Sequence, residues 1–106
     1  MNKNPLVSII INSFNAENFI RDSINSALSQ TYKNTEIVFW DNKSTDNTEK
    51  ILMEYSTKNK KIKYFKSKSH DILYLARKKA IQVAKGDYFA FLDADDWWSK
   101  DKLSQQ

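Results

Sequence analysis

Short dense runs of apolar residues alternate in this chain with longer stretches whose apolar side chains recur every three or four positions, and no other feature constrains the fold as strongly. The dense runs have the length of strands and lie at 6–11, 36–40, 62–65 and 88–92. The stretches between them have the period of amphipathic helices. Because strands that alternate with helices build parallel sheets, the sequence predicts a three-layer α/β sandwich with a mostly parallel four-stranded sheet.

The first two predicted helices start at polar residues that favour helix N-termini. Asn15 can cap the first helix, whose apolar stripe consists of Phe19, Ile20, Ile24, Ala27 and Leu28. Asp46 and Glu49, three residues apart, form a capping-box pattern at the start of the second helix. That helix is expected to bury Ile51, Leu52 and Tyr55.

The third predicted helix covers 71–84 and precedes Gly86, the only glycine of the chain. Its inward positions are expected to be Ile72, Ala76, Ala80 and Val83 or Ala84. Gly86 stands just past the helix end, where a left-handed cap would need a glycine. The run YFAFL at 88–92 is continuously apolar, which is typical of a strand covered on both faces.

Length and composition predict a single domain, residues 1–106, because 41% hydrophobic residues in 106 supply one core. The absence of cysteine excludes disulfides and thiolate metal sites. The first apolar run is too short for a signal peptide or a membrane span, so a soluble protein is expected. Most of the +4 net charge comes from lysines at 58–68 and 77–79. We interpret them as a solvated surface, not a nucleic-acid site, since no arginine-rich patch interleaved with aromatics is present.

Three carboxylates crowd the end of the fourth predicted strand, at Asp93, Asp95 and Asp96. Like charges this close disfavour one another's ionised form unless a positive charge lies among them. A helix cap would need only one of the three. Oxygen-only ligation suits Mg²⁺ or Mn²⁺ that bridges to phosphate oxygens, so the cluster predicts a divalent metal site.

Three polar segments are expected to converge at the carboxyl edge of the sheet: NSFN at 12–15, DNKSTD at 41–46 and DADD at 93–96. With strands ordered 3-2-1-4, the first and the last of them become neighbours. The first two segments, taken alone, are also explained as helix caps and turns. A single glycine excludes the glycine-rich phosphate loops, so a nucleotide here would be held by side chains and a metal.

Three ordered segments, at 7–32, 36–48 and 76–97, together resemble the nucleotide-binding half of family 2 inverting glycosyltransferases. The resemblance covers nearly the whole chain. It implies the Rossmann-like GT-A fold, with this chain as the N-terminal donor-binding part. It also implies a nucleotide-sugar donor, commonly a UDP-sugar, and Mn²⁺ or Mg²⁺ held through a DxD motif.

The resemblance assigns roles to individual residues of the three segments. Asp95, supported by Asp93, would bind the metal, and Asp93 would lie near the ribose. Asn12 and Phe14 match positions that flank the base. Arg77 falls on an arginine near the nucleotide, in a motif that departs from the usual one because Lys78 replaces an asparagine.

In the segment after the second strand, Asp41 and Ser44 match the usual residues of the family, and the resemblance counts Asp41 among the nucleotide-sugar-binding residues. Asn42 stands where a second aspartate is expected to read the uracil imide, which puts base identity in doubt, and Lys43 stands where glycine or asparagine is usual. The family's general base and acceptor surface belong to a C-terminal part that this chain is expected to lack, so the catalytic residue is unknown.

The expected partners are a nucleotide-sugar donor and a glycan or glycoconjugate acceptor, in the cytoplasm or at the inner face of the membrane. Uncovered apolar surface around the fourth strand and last helix predicts a homo-oligomer. A non-catalytic nucleotide-binding or self-associating module is the alternative. A receiver domain with Asp41 as phosphoacceptor is disfavoured, because its acidic pair would follow the first strand.

Overall fold

The computed structural model of the protein describes residues 5–68, 73–93 and 103. Its seven elements confirm the predicted alternation of strands and helices. They are β1 (Val7–Ser13), α1 (Ile20–Leu28), β2 (Thr35–Asp41), α2 (Thr48–Lys58), β3 (Ile62–Lys66), α3 (Leu73–Val83) and β4 (Tyr88–Asp93). Each strand continues one or two residues beyond its predicted carboxyl end. The strands therefore carry polar residues of the three segments into the sheet.

The four strands are parallel and ordered β3-β2-β1-β4, which confirms the predicted topology. In the register, Asn12 of β1 lies between Trp40 of β2 and Asp93 of β4. Ser13, the next residue, pairs with Asp41. The ends of β1, β2 and β4 therefore meet at one edge of the sheet.

Successive side chains of each strand point to opposite faces, and each face packs against its own helices. On one face, α1 and α2 cover a core that includes Ile9, Ile11, Ile37 and Phe39. On the other face, α3 places Ala80 against Ile10 and Val38. The three consecutive isoleucines of β1 are fully buried, and each contributes about 1.5–3 kcal/mol by leaving water.

The start of α1 differs from the prediction, because Asn15 does not cap it. A turn precedes the helix, in which the Ile20 amide donates to the Ala16 carbonyl at 2.8 Å. Asn15 has a positive φ of 48°, and its side chain contacts another loop. Phe19, predicted in the buried stripe, is 54% exposed, whereas Ile20 is fully buried.

The start of α2 confirms only half of the capping-box pattern. Asp46 Oδ1 accepts hydrogen bonds from the Thr48 amide at 2.9 Å and from the Thr48 hydroxyl. Glu49 does not complete the box, since its carboxylate forms an ion pair with Lys66 of β3 at 2.6 Å. Thr48, the residue that begins α2, is thus held by Asp46 and not by Glu49.

Gly86 serves a different purpose from the predicted left-handed cap, because its φ is not positive. Its amide donates to Ser8 Oγ at 2.8 Å, and a Cβ at this position would lie 2.7 Å from the Ser8 backbone nitrogen. Glycine is needed here because the chain entering β4 passes very close to β1.

Glu36 connects four parts of the chain at the amino end of the sheet. Its carboxylate, almost fully buried, accepts from Ser8 Oγ and the Lys85 amide, both at 2.5 Å, and from Lys63 Nζ at 2.9 Å. Burial alone raises the pKa of Glu36, but the three hydrogen bonds and the Lys63 charge outweigh it and leave the pKa below its ordinary value.

β4 forms an edge of the described sheet, and the exposure of its aromatic side chains shows that the prediction of a strand covered on both faces is wrong. Tyr88, Phe89 and Phe91 are 63, 42 and 41% exposed, whereas Leu92 is buried. Tyr88 and Phe89 line a cavity of about 540 Å³ near the amino end of β4. α3 lies over β1 and β2, and of the predicted helix 71–84 the first two residues, including Ile72, are outside the described chain.

None of the helices described in residues 5–68 and 73–93 has the length and apolar character needed to cross a membrane.

Candidate functional site

The candidate site lies at the carboxyl edge of the sheet, where the loops after β1 and β2 adjoin the end of β4. In parallel α/β sheets ligands bind in this position, at the point where strand order reverses. Here the order reverses between β1 and its neighbours β2 and β4. The structure thus brings together the positions of Asn12, Asp41 and Asp93.

Five hydrogen bonds donated by backbone amides join the loop after β1 to the loop after β2 in the described residues, and we call this pairing of 13–17 with 42–48 the loop clasp. Two of the bonds involve both groups of Asn15: its amide donates to Ser44 Oγ at 2.9 Å, and its Oδ1 accepts from the Thr45 amide at 2.7 Å. The other three donors are the amides of Asn42, Ala16 and Glu17, to Ser13 O, Thr48 Oγ1 and Asp46 Oδ2. The polar residues of both loops therefore hold each other.

Asp46 takes part in the loop clasp and in the start of α2 at the same time. Burial raises the pKa of its carboxyl group slightly, but hydrogen bonds from Thr48 and from the Glu17 amide outweigh it and hold the pKa below its ordinary value. Asp46 therefore remains ionised at neutral pH and acts as a structural acceptor.

Asp41 is fully buried at the end of β2 and both of its carboxylate oxygens are occupied. Oδ1 accepts from the Ser44 amide at 3.1 Å and from Ser44 Oγ at 2.5 Å, and Oδ2 accepts from the Tyr64 hydroxyl at 3.2 Å. Burial, together with the negative charge of Asp41, raises the pKa of Tyr64. Tyr64 therefore stays protonated, and its hydroxyl donates a hydrogen bond to Asp41. Sequence reasoning did not find Tyr64, because the contact depends on the register between β2 and β3.

Lys43 adopts a left-handed conformation between Asn42 and Ser44, with a φ of 61°. In this conformation Cβ lies too close to the following carbonyl oxygen, which costs about 1–2 kcal/mol, and glycine avoids this cost because it has no Cβ. Lys43 is exposed, so its ammonium group reaches solvent at the rim of the site.

Several polar atoms are buried at the carboxyl edge without a hydrogen-bond partner among the described residues. They are Asn12 Oδ1, Ser13 Oγ and Trp40 Nε1. Leaving such an atom unsatisfied costs about 1–3 kcal/mol, so groups of this kind mark positions that a ligand or water can fill. Asn12 and Trp40 are neighbours in the register, and Trp40 stacks on Phe65 with 6.1 Å between ring centroids.

Two predicted site residues differ in how much surface they offer. Phe14 is 47% exposed on the loop after β1, so part of its ring is open for stacking. Asn42 is only 8% exposed, and its amide is fixed by the carbonyl of Ser13. The two residues belong to different loops of the loop clasp.

Arg77 of α3 lies on the β4 side of the helix. Its guanidinium carbon is 5.2 Å from the centroid of the Phe91 ring, a cation–π arrangement. Phe91 precedes Asp93 by two residues in β4. Arg77 is therefore half-buried and held near the carboxyl edge, unlike a freely solvated helix residue.

The predicted metal ligands are only partly within the described chain. Asp93 ends β4 beside Asn12, but Asp95 and Asp96 lie outside the described residues. Within 5–68, 73–93 and 103, no group of three or more histidine, aspartate or glutamate residues is placed to hold an ion. The site assignments made from the sequence stay predictions.

Solved structures share the fold of this chain. TarS 1-349 of S. aureus, solved in complex with UDP-GlcNAc, superposes with a TM-score of 0.82 at 28% identity, over 93% of this chain and 29% of that one. PcManGT, a mannosyltransferase from Pyrobaculum calidifontis solved with GDP-Man and Mn²⁺, reaches a TM-score of 0.89 at 22% identity, over 97% and 31%. At that identity the second comparison shows the GT-A fold alone.

Curated relatives match the sequence over nearly its full length. WfaP of Escherichia coli, a UDP-Glc:alpha-D-GlcNAc-diphosphoundecaprenol beta-1,3-glucosyltransferase, is 45% identical over 101 residues, which are 95% of this chain and 39% of WfaP. The chain spans about two fifths of the length of several such relatives.

The family comparison covers the three polar segments and all four strands. The model for glycosyl transferase family 2 matches residues 8–106. This chain belongs to glycosyl transferase family 2, and it corresponds to the N-terminal half of such enzymes.

Proposed function

We propose that this chain is the donor-binding part of a glycosyltransferase that uses a nucleoside-diphosphate sugar, a UDP-sugar, and transfers the sugar to a glycan or glycoconjugate with release of the nucleoside diphosphate. One observation carries the proposal: the register places Asn12 between Trp40 and Asp93, so that β4 ends at the carboxyl edge where the two clasped loops begin. Family membership gives this edge its chemical meaning. TarS, solved with UDP-GlcNAc, and WfaP, named for UDP-Glc, support uracil as the base.

The base and ribose would be held by groups from the two clasped loops and β4. Phe14 offers an exposed ring face for stacking, and Asn42 offers an amide to the imide of uracil. Asn12 Oδ1 is buried without a hydrogen-bond partner among the described residues, and Asn12 pairs with Asp93 in the register. We assign Asp93 to the ribose. These contacts are neutral or depend on one carboxylate, so they do not hold the diphosphate.

The diphosphate needs positive charge, because the segment around it is acidic. We assign Mn²⁺ or Mg²⁺ to Asp95 with support from Asp93, on the chemistry of a donor set that contains only oxygen. When bound, such an ion neutralises the diphosphate and stabilises it as a leaving group. Arg77, held against Phe91, supplies a second positive charge on the α3 side.

The transfer itself would be a single displacement at the anomeric carbon. The acceptor oxygen forms a bond to this carbon while the bond to the diphosphate breaks, and the acceptor proton passes to a base that we do not assign to this chain. We place the enzyme in the cytoplasm at the inner face of the membrane. The lipid-linked acceptor in the name of WfaP supports this location.

A second candidate role, self-association, is favoured by the edge strand. Tyr88, Phe89 and Phe91 expose aromatic surface on an edge that is unpaired within the described sheet. Light scattering at high concentration would reveal a dimer, and a Phe89→Lys variant should shift it to the monomer. A clean monomer of the unmodified chain would exclude this role.

Calorimetric titration of UDP, with Mn²⁺ and then with EDTA, tests the main proposal. We expect a dissociation constant of high micromolar to millimolar, which corresponds to a binding free energy of about 4–6 kcal/mol in magnitude, and no binding in EDTA. Without the ion, the carboxylates repel the phosphates. GDP run in parallel shows whether Asn42 changes base choice.

The Asp95→Ala variant should lose most of the binding and its dependence on metal. Asp101→Ala, the same change at an acidic residue outside the cluster, serves as the matched control and should bind as the unmodified chain does. Equal binding of UDP in EDTA, or an unchanged Asp95→Ala variant, would contradict the metal assignment.

A further inference from the structure

A chain of hydrogen bonds links β3 and the end of β2 to the two clasped loops. It begins at the hydroxyl of Tyr64 on β3, which donates to Asp41 Oδ2 at 3.2 Å. Asp41 Oδ1, at the end of β2, accepts from Ser44 Oγ at 2.5 Å. Ser44 Oγ in turn accepts from the Asn15 amide at 2.9 Å, in the loop after β1. The family resemblance gives Tyr64 no role.

The burial of Asp41 makes each bond of this chain consequential. Its side chain is fully buried, and in the described residues the two ion pairs involve Glu36 and Glu49, not Asp41. A buried carboxylate without an ion partner depends on its hydrogen bonds for stability. Because Ser44 occupies one oxygen and Tyr64 the other, the phenol fixes the rotation that points Oδ1 at Ser44.

The hydrogen-bond chain holds two residues in left-handed conformations. Asn15 has a φ of 48° and Lys43 a φ of 61°. Asparagine tolerates this conformation, but lysine rarely adopts it, so Lys43 keeps it only because the surroundings enforce it. Ser44 touches both loops, since it follows Lys43 and accepts from the Asn15 amide.

Phe14 and Asn42 flank the residues that the chain holds. Phe14 directly precedes Asn15, and Asn42 directly follows Asp41. Neither has a strand or helix of its own to fix it, so their positions follow from the loop clasp. A shift of Ser44 would therefore move both residues to which we assign the base of the donor.

We propose that Tyr64, acting through Asp41 and Ser44, is a positioning residue that orders the two loops around the base of the donor nucleotide. Tyr64 contacts Asp41, and Asp41 contacts Ser44 of the loop after β2. Because both carboxylate oxygens of Asp41 are thereby occupied, we assign Asp41, which the sequence predicted to bind the nucleotide sugar, to holding this loop. The inference rests on the proposed function for the identity of the ligand. It deepens that function by separating the residues that touch the base from those that hold them.

Tyr64→Phe is the sharpest test, because it removes only the hydroxyl and leaves the ring. Tyr55→Phe is the matched control, since the Tyr55 hydroxyl of α2 makes a 3.3 Å hydrogen bond to exposed Asn25, away from both loops. In Tyr64→Phe we expect hydrogen exchange at the amides of Asn15 and Thr45 to speed up several-fold. Exchange within α2 should not change in either variant.

Ligand binding supplies a second readout that a general loss of stability would not reproduce. UDP affinity with Mn²⁺ should fall about 3- to 10-fold in Tyr64→Phe, the range that one hydrogen bond accounts for. Binding of inorganic pyrophosphate with Mn²⁺ should stay unchanged, because its contacts lie at the acidic segment. Adding Tyr64→Phe to a Ser44→Ala variant should have almost no further effect, since both act through one chain.

Unchanged exchange at Asn15 and Thr45 in Tyr64→Phe would overturn the inference, even if the UDP affinity of this variant fell. Equal losses of UDP and pyrophosphate affinity would overturn the specific role at the base. Absence of UDP and GDP binding to the unmodified chain would overturn the proposed function instead, while the exchange experiment still decides whether Tyr64 orders the loops.

Discussion

Replacing Gly86 by alanine tests whether a close backbone approach, and not a special backbone conformation, requires glycine before β4. A Cβ here would lie 2.7 Å from the Ser8 backbone nitrogen and 3.0 Å from the Leu6 carbonyl oxygen. Both are backbone atoms near the start of β1, so relief requires the two strands to separate. Overpacking of this kind costs about 1–3 kcal/mol.

The same separation would stretch the hydrogen bond from the Gly86 amide to Ser8 Oγ, which is 2.8 Å long. Loss of one such bond adds about 0.5–1.5 kcal/mol. We therefore expect Gly86→Ala to lower the free energy of unfolding by about 2–4 kcal/mol. This is a large part of the roughly 5–15 kcal/mol that holds a typical domain together.

Urea unfolding followed by the fluorescence of the three tryptophans measures this loss. Gly86→Asn separates the two explanations, because asparagine tolerates left-handed conformations and alanine does not. If close approach is the cause, the asparagine variant should be at least as unstable as the alanine variant. Lys85→Ala, a neighbouring change at an exposed side chain, should stay within about 0.5 kcal/mol. An asparagine variant clearly more stable than Gly86→Ala would refute the reasoning.

Three further predictions concern charges and backbone strain. Folding lowers the pKa of Glu36, so the ionised side chain stabilises the fold fully above the ordinary pKa of 4.5. This stabilisation is lost as the pH falls through the pKa of the folded state. The urea midpoint of Glu36→Gln should therefore approach that of the unmodified chain on acidification. Lys43→Gly should raise the free energy of unfolding by about 1 kcal/mol in urea titrations, and a loss of stability would contradict the positive φ. Asp46→Ala should cost about 1–2 kcal/mol in thermal unfolding, whereas Glu49→Ala, which breaks a partly exposed pair, should cost less than about 1 kcal/mol.

The elements and their order could be predicted from the sequence, because both follow from local periodicity and general rules of connection. Val7–Ser13 and Tyr88–Asp93 are dense apolar runs, and parallel strands joined by helices leave few possible topologies. The convergence of Asn12 with Asp93 followed from that topology. No tertiary detail was needed for these conclusions.

The local roles of polar residues could not be predicted, because they depend on contacts between distant parts of the chain. Asn15 has the composition of a helix cap, but its partner is Thr45 in another loop. Gly86 has the position of a helix cap, but its neighbour is Ser8, 78 residues away. Tyr64 gave no signal at all, since a phenol in a strand is most simply a packing residue.

The pairing of β1 with β4 has a consequence for synthesis on the ribosome. Leu6 and Asp87, which are hydrogen-bonded beside this pairing, lie 81 residues apart in the chain. At roughly 5–20 residues per second, the second edge of β1 stays open for about 4–16 s after the first residues are made. During that time Ile9, Ile10 and Ile11 have no partner strand on the β4 side. The nascent chain therefore exposes an unpaired edge of β1 until the residues of β4 have been made.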